Sequence, residues 1–171
     1  MKINNRVRII AISGDGSAAG KTFAASVFAQ ATFSIASGIR CELQRLYPGY
    51  QWSNREQSYK NTTLVKEYGG GRHTVRGVLL EYGQSKCRTD PCHWVSLLGD
   101  QIAHSLQIAS GIRTLAIDDI RKTCELDHLR QRFPDLLVHL HVASPTAVHE
   151  PEFDAETLKA KADYVVAWHK D

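Results

Sequence analysis

Residues 13–22 read SGDGSAAGKT and directly follow the apolar run VRIIAI. A β-branched strand, a glycine-rich turn and a helix form the setting in which the pattern G-x-x-x-x-G-K-[ST] folds into a phosphate-binding loop. Glycines allow successive backbone N–H groups to turn toward an anion, and the start of the following helix adds positive potential. This stretch therefore predicts a phosphate loop and an α/β fold built around it.

The loop pattern assigns a role to each residue. Lys21 is expected to reach the β- and γ-phosphates of a nucleotide, and the Thr22 hydroxyl is expected to ligate Mg²⁺. The residues expected to form the backbone cradle around the phosphates are small: Gly14, Gly16, Ser17, Ala18, Ala19 and Gly20.

Asp15 departs from the pattern, because the first glycine position, counted back from Gly20, falls on it. Either Asp15 takes that position or the turn holds one extra residue. A triphosphate would repel a carboxylate aimed at it, so we expect Asp15 to point away from the phosphates. Two roles stay open: a catalytic one facing a hydroxyl of the acceptor, and a structural one that braces the turn through backbone N–H groups.

Strand-like apolar runs alternate with helices along the chain. This alternation predicts a three-layer α/β fold with a mostly parallel sheet of about five strands. After the strand that precedes the loop, the expected strands lie within residues 39–46, 113–119, 136–142 and 163–169.

Helix start and stop signals divide the rest of the chain. An alanine-rich helix is expected to run from the loop to Gly38, and residues 47–72 are polar and predicted to be irregular. Thr74 is expected to cap a helix that ends near Gly83, and Asp90 to cap the next helix.

Asp118 and Asp119 stand at the C-terminal end of a predicted strand. An acidic residue that ends a buried strand beside a phosphate loop holds Mg²⁺ in many nucleotide hydrolases and kinases. We expect one of the two carboxylates to serve the metal and the other to cap a turn, with the assignment open.

A second anion site is predicted between the loop and these aspartates. Arg72, Arg76 and Arg88 accompany Gln84 and Trp94, and guanidinium groups bind phosphate bidentately. The arginines are therefore expected to hold the phosphate of an acceptor. Trp94 has two open interpretations, stacking on a base or packing in the core.

The chain has 171 residues and a net charge of +3, which suits polyanionic ligands. No run approaches the roughly 20 apolar residues of a membrane span. We therefore expect no membrane partner. The four cysteines are expected to be reduced thiols, which indicates a cytoplasmic protein.

The order of the motifs resembles the bacteriophage deoxynucleoside monophosphate kinases and their phosphomevalonate-kinase-like relatives. The stretch TVRGVLLEYGQSKCRTDPCHW follows the phosphate loop, and LAIDDIRKTCEL, HEPEFD and ADYVVAWH come after it. Arg76, Arg88 and Trp94 match the family's arginine-bearing helix and its Asp-Pro-x-x-Trp segment. Asp119 and Arg121 match an Asp-x-Arg that follows a strand.

This resemblance implies a P-loop kinase fold in which residues 1–171 form one domain. An acceptor-binding insertion is expected at about residues 47–110, and a short lid at about 143–153, where His149 and Glu152 match a family motif. ATP and Mg²⁺ are the implied cofactors. The implied catalytic residues are Lys21, Asp119, Arg121 and, in its acceptor-facing role, Asp15; Trp168 is expected to stack near the adenine.

The function that the resemblance implies is ATP-dependent phosphorylation of a (deoxy)nucleoside monophosphate to the diphosphate. A related alternative is a P-loop kinase that phosphorylates a hydroxymethylated pyrimidine within phage DNA. A third is a nucleotide-binding module without catalysis. A phage-encoded chain would act in the host cytoplasm, and a homodimer stays open.

Overall fold

A parallel β-sheet carries the predicted loop. The computed structural model describes residues 7–16, 18–54, 56–108, 111, 113–148 and 154–167. Within these residues, one sheet of five parallel strands has the order β2-β3-β1-β4-β5. The strands are β1 Arg8–Gly14, β2 Ala31–Phe33, β3 Thr114–Ile117, β4 Leu137–Ala143 and β5 Tyr164–Ala167.

Helices connect the strands and confirm the predicted α/β class. They are α1 Lys21–Phe28, α2 Ile35–Leu46, α3 Gln57–Thr62, α4 Val75–Thr89, α5 His93–Ile108, α6 Thr123–Arg132 and α7 Ala155–Ala160, with a 3₁₀ turn at Gly69–Gly71.

The chain divides into two compact units. The sheet unit comprises Met1–Ile35 and Val95–Asp171, and the helical unit comprises Ala36–Trp94. The predicted loop and both aspartates belong to the sheet unit, whereas all of the predicted acceptor residues belong to the helical unit.

The two faces of the central strand β1 have different characters. On one face, Ile12 packs with Leu140 of β4 and with Ala25 of α1, and this face is apolar throughout the cluster. On the other face, the parallel register places Ser13 beside His141. Because side chains alternate along a strand, the sheet has an apolar face under α1 and a face with buried polar groups opposite it.

The helix predicted from the loop to Gly38 is wrong, and so is the strand predicted within residues 39–46. The helix α1 ends at Phe28, a short edge strand follows at Ala31–Phe33, and residues 39–46 are helical. Ile39 and Leu43 are four residues apart and face the same apolar cluster, which is the spacing of a helix face. The apolar residues of this short stretch also fit a strand, so the sequence pattern alone does not distinguish the two structures.

The helix α4 begins as predicted, because the Thr74 side chain accepts a hydrogen bond from Gly77 N. It does not end near Gly83 but continues to Thr89. Gly83 is buried within the helix, and its ideal Cβ would lie 2.9 Å from Ile39 Cδ1. The glycine therefore permits close packing of α2 on α4 and is not a stop signal here.

Residues 47–72 are polar in sequence but are organised by aromatic packing. Trp52 is fully buried, and its Nε1 donates to Tyr47 O at 2.9 Å. The Tyr50 hydroxyl donates to Glu67 at 2.5 Å and accepts from Lys66 N at 2.8 Å. The core of the helical unit is an aromatic and aliphatic cluster: Leu43, Trp52, Val65, Val75 and Val78, surrounded by Tyr47, Tyr50, Tyr59, Tyr68 and Tyr82.

A matched pair of substitutions on α2 tests this core. Leu43 is fully buried and Leu46 is 56% exposed, although both belong to the same helix. We expect Leu43→Ala to lower the free energy of unfolding by about 2–5 kcal/mol. Leu46→Ala is expected to change it by less than about 0.5 kcal/mol. Urea denaturation followed by circular dichroism measures both, and equal effects would contradict the assignment of the helical core.

Candidate functional site

The predicted phosphate loop leaves β1 at Gly14, where a side chain would be crowded. An ideal Cβ on Gly14 would lie 3.0 Å from Ala19 Cβ and 3.0 Å from Val142 O of β4. Two residues of the loop have left-handed backbone angles, Ala18 with φ 62° and Gly20 with φ 89°. This conformation is uncommon for alanine, and such backbone strain concentrates at functional sites.

The loop ends at the start of α1, which supplies the predicted cation. Gly20 is the N-cap of α1, and no side chain caps it. The N-cap residue therefore offers no side-chain acceptor to the first helical turn, and helix N-termini are sites where anions bind. Lys21 Nζ donates to Gly16 O at 2.5 Å, so the lysine folds back over the loop.

Thr22 and Asp118 meet although they are far apart in sequence. Thr22 Oγ1 donates to Asp118 Oδ2 at 3.2 Å. Asp118 directly follows β3, which pairs with β1, and its side chain is buried. The neighbouring positions of β3 and β1 in the sheet thus bring the hydroxyl and the carboxylate of the predicted metal site together.

Asp119 lies differently from Asp118. Its two carboxylate oxygens accept hydrogen bonds from Ser34 Oγ at 2.8 Å and from Ile35 N at 2.7 Å, at the start of α2. One aspartate therefore adjoins the loop and the other caps a helix, as the sequence had left open. The direct metal and catalytic roles predicted for Asp119 are not supported by these contacts, because consecutive side chains project in different directions.

The residues beside the loop fit Mg²⁺. Thr22 and Asp118 offer two oxygen ligands, and Mg²⁺ is held by one or two protein oxygens together with substrate phosphates and water. In the part of the chain that the structure describes, no group of three or more His, Cys, Asp or Glu side chains forms a complete metal site. A cation that needs phosphate oxygens to complete its shell suits this arrangement.

Asp15 points to the end of β4. Its Oδ1 accepts from His141 Nε2 at 2.9 Å, and its Oδ2 accepts from Ser144 N at 2.8 Å. Lys159 Nζ lies 4.0 Å from Oδ1. Partial burial by itself would raise the pKa of Asp15, but the hydrogen bonds from His141 and Ser144 and the charge of Lys159 lower it below its ordinary value.

These contacts bear on the two roles left open for Asp15. Both carboxylate oxygens have partners within the sheet unit, so the geometry favours the structural role that braces the turn. The role as an acceptor-facing base has no support in these contacts.

Two buried histidines behind Asp15 escaped the sequence analysis. His139 and His141 lie on β4, and both bond to the Ser13 hydroxyl, at 2.8 and 2.9 Å. All three side chains are fully buried. The signal in the sequence was the alternation LVHLHV, because a central parallel strand is normally apolar on both faces.

Arg121 lies near the start of α6. The backbone N–H groups of Arg121 and Lys122 donate to Glu125 Oε2 at 2.8 and 3.0 Å. Burial raises the pKa of Glu125 to about 7, and these hydrogen bonds oppose the shift. The role predicted for the Arg121 side chain, stabilising transferred charge, stays a prediction.

The three arginines predicted to share one phosphate are distributed along the helical unit. Arg76 lies in the first turn of α4 and Arg88 in its last turn, twelve residues later. At 1.5 Å per residue their Cα atoms are about 18 Å apart. This spacing along one helix does not favour a single phosphate shared by Arg76 and Arg88, and the shared site stays a prediction. Arg72 and Gln84 are exposed like them.

Trp94 belongs to the core of the helical unit. It is 4% exposed, and its Nε1 donates to Gly83 O at 2.9 Å. An ideal Cβ on Gly38 would lie 3.2 Å from its ring. The core interpretation of Trp94 is therefore confirmed, and stacking on a substrate base is wrong because the ring is covered.

Some predicted site residues lie outside the described residues. They are Ser17 of the loop, Trp168 at the expected adenine site, and His149 and Glu152 of the expected lid.

Comparisons with known proteins add little to this geometry. No protein-family model matches the chain, and no curated protein sequence matches it. Among solved structures, it is similar to the tunicamycin resistance protein of Deinococcus radiodurans, with 12% identity, a TM-score of 0.43, and coverage of 94% of this chain and 85% of that chain. At this level of similarity the two proteins need not share an activity. No α-helix among the described residues has the length and hydrophobicity of a membrane span.

We expect the buried side chain of His139 on β4 to make the free energy of unfolding depend on pH. Burial lowers the pKa of His139 to about 4 from an ordinary value of 6.5. Between pH 4 and 6.5, His139 is therefore protonated in the unfolded chain but not in the folded protein. The contribution of His139 to the free energy of unfolding consequently falls as the pH drops from about 6.5 to 4. The full effect is about 3 kcal/mol.

Glu125 acts in the opposite direction over an overlapping range, because its pKa is raised on folding. The measurement therefore compares His139→Phe with the wild type at each pH by urea denaturation. The variant should gain stability relative to the wild type as the pH falls from 6.5 to 4, on top of a pH-independent offset. A difference that is constant with pH would contradict the prediction.

Proposed function

We propose that this protein is an ATP- and Mg²⁺-dependent phosphotransferase. The observation that carries the proposal is the hydrogen bond between Thr22 Oγ1 of the loop and Asp118 Oδ2 at the end of the neighbouring strand. Together with Lys21 on the loop, it places a hydroxyl, a buried carboxylate and a mobile ammonium group around one helix N-terminus. This combination is the one that P-loop enzymes use to bind a nucleoside triphosphate.

Each group has a defined task in this proposal. The N–H groups at the start of α1 and along the loop bind the phosphates, and Lys21 exchanges Gly16 O for the β- and γ-phosphate oxygens. Thr22 and Asp118 would hold Mg²⁺, which supplies charge neutralisation at the oxygens of the transferred group. Catalysis then depends on positioning and electrostatics, since in-line phosphoryl transfer needs little covalent chemistry from the protein.

The first candidate acceptor is a (deoxy)nucleoside monophosphate, as the resemblance to phage kinases implies. The charge of the helical unit supports an anionic acceptor, because residues 36–94 contain nine Lys and Arg against five Asp and Glu. Arg76 and Arg72 lie at the same end of α4 and are the pair that would contact one terminal phosphate.

A polymeric acceptor is the second candidate, a hydroxymethylated pyrimidine within DNA. The observation in its favour is the separation of Arg76 and Arg88 at opposite ends of α4, about 18 Å along the helix. Two exposed arginines whose Cα atoms lie that far apart suit a backbone with successive phosphates better than one mononucleotide.

Paired substitutions separate the two aspartates. Asp118→Asn is expected to lower the rate of ATP-dependent transfer by about 10²–10³, as is Lys21→Ala. Asp119→Asn is expected to lower it far less, because Asp119 caps α2. Transfer of label from γ-³²P-ATP measures these rates in protein whose folding has been checked by circular dichroism. Equal losses at both aspartates would contradict the assignment.

A panel of acceptors and two arginine variants identifies the acceptor class. With a mononucleotide acceptor, Arg76→Ala should raise the acceptor KM by about tenfold or more, with the KM for ATP unchanged, and Arg88→Ala should have little effect. With hydroxymethylpyrimidine DNA, both variants should weaken binding and each should reduce its salt dependence by about one unit. Exposed Lys66→Ala is the control. Nucleotide binding without transfer to any acceptor would favour a non-catalytic module.

A further inference from the structure

A buried chain of polar side chains leads from the interior of the sheet unit to the phosphate loop. Its hydrogen bonds join His139 Nε2 to Ser13 Oγ at 2.8 Å, Ser13 Oγ to His141 Nδ1 at 2.9 Å, and His141 Nε2 to Asp15 Oδ1 at 2.9 Å. We call these four residues the polar chain. Its inner three members are fully buried, and only Asp15 reaches the surface.

The hydrogen-bond requirements give the polar chain a direction. The carboxylate of Asp15 only accepts, so His141 donates to it from Nε2; with a neutral imidazole, Nδ1 of His141 then accepts from Ser13. Ser13 then accepts from His139 Nε2.

The polar chain is not a nucleophilic site, although it contains serine, histidine and aspartate. The Ser13 hydroxyl is fully buried and lies between two imidazole rings, so no substrate reaches it. Its effect must be exerted through the one member that reaches the surface, which is Asp15.

Asp15 is where the polar chain meets the loop. His141 holds one of its oxygens and Ser144 N holds the other, while Asp15 N donates to Val142 O at 3.2 Å. Backbone and side chain of Asp15 are thus both tied to β4. The loop residues that follow begin from this fixed point.

We propose that His141 is a positioning residue of the nucleotide site, which acts through Asp15 to hold the first turn of the loop in its phosphate-binding conformation. The ligand class is a nucleoside triphosphate, and this inference rests on the proposed function of the loop. An apolar side chain at position 141 would suit a central parallel strand better, and of the two hydrogen bonds that His141 makes, the one to Asp15 is the one that reaches the loop.

The first test measures the affinity for a fluorescent ATP analogue. His141→Phe keeps the ring volume and removes both hydrogen bonds, and we expect the Kd to rise about tenfold, or about 1.4 kcal/mol. His141→Gln can still donate to Asp15 and should restore most of the affinity. The control for the same substitution away from the loop is His128→Phe, which removes a longer, part-buried bond to Ser96 Oγ at 3.4 Å and should leave the Kd within about twofold.

A double-mutant cycle decides whether His141 acts through Asp15. Asp15→Ala should raise the Kd to a similar extent, and Asp15→Ala with His141→Phe should be no weaker than Asp15→Ala alone. Additive losses would mean that His141 acts by general stability and would overturn the proposal. If His141→Phe does not fold, His141→Asn replaces it, because its shorter amide keeps the Ser13 side and loses Asp15.

Amide hydrogen exchange without nucleotide separates this inference from the proposed function. In His141→Phe, the amides of residues 16–20 should exchange faster than in the wild type. In a protein that already carries Asp15→Ala, adding His141→Phe should not increase their exchange further. If the wild type binds no triphosphate, the proposed function fails, and the exchange rates alone then judge the positioning role. Unchanged loop exchange, or faster exchange with an unchanged Kd, overturns the proposal.

Discussion

The close approach of β1 and β4 at Gly14 governs the geometry of the whole site. A side chain there would be crowded, because an ideal Cβ would lie 3.0 Å from Val142 O and 3.0 Å from Ala19 Cβ. Glycine relieves this crowding, and the next residue, Asp15, lies against β4, where its N donates to Val142 O at 3.2 Å.

The central position of β1 then lets two neighbours hold the loop from opposite sides. On the β3 side, Asp118 accepts from Thr22 at the end of the loop. On the β4 side, His141 and Ser144 hold Asp15 at its beginning. Parallel strands end at the same edge of the sheet, so groups contributed by three separate segments of the chain meet where open α/β sheets bind their ligands.

The helical unit differs from the sheet unit in how it is stabilised and in its charge. Its core depends on tyrosine and tryptophan side chains whose polar atoms find partners, as Trp52 does with Tyr47 O. Its surface carries the excess of basic residues. Because Trp94 is part of the core, recognition of an acceptor by this unit would depend on charge and not on stacking with that ring.

The sequence by itself determined the local features that depend on a few neighbouring residues. These are the strand, loop and helix around Lys21, the later strands of the sheet, and the Thr74 cap of α4. Residues 29–46 were misassigned because short apolar stretches carry both strand and helix signals. Only the tertiary structure decided that Asp118 adjoins the loop while Asp119 caps α2 and that Arg76 and Arg88 lie at opposite ends of one helix. It also decided that His141 bonds directly to Asp15, while His139 connects to His141 through Ser13. These features depend on the length of a helix or on contacts between residues that are far apart in the chain. Ser13 and His141, for example, become neighbours only when β1 pairs with β4.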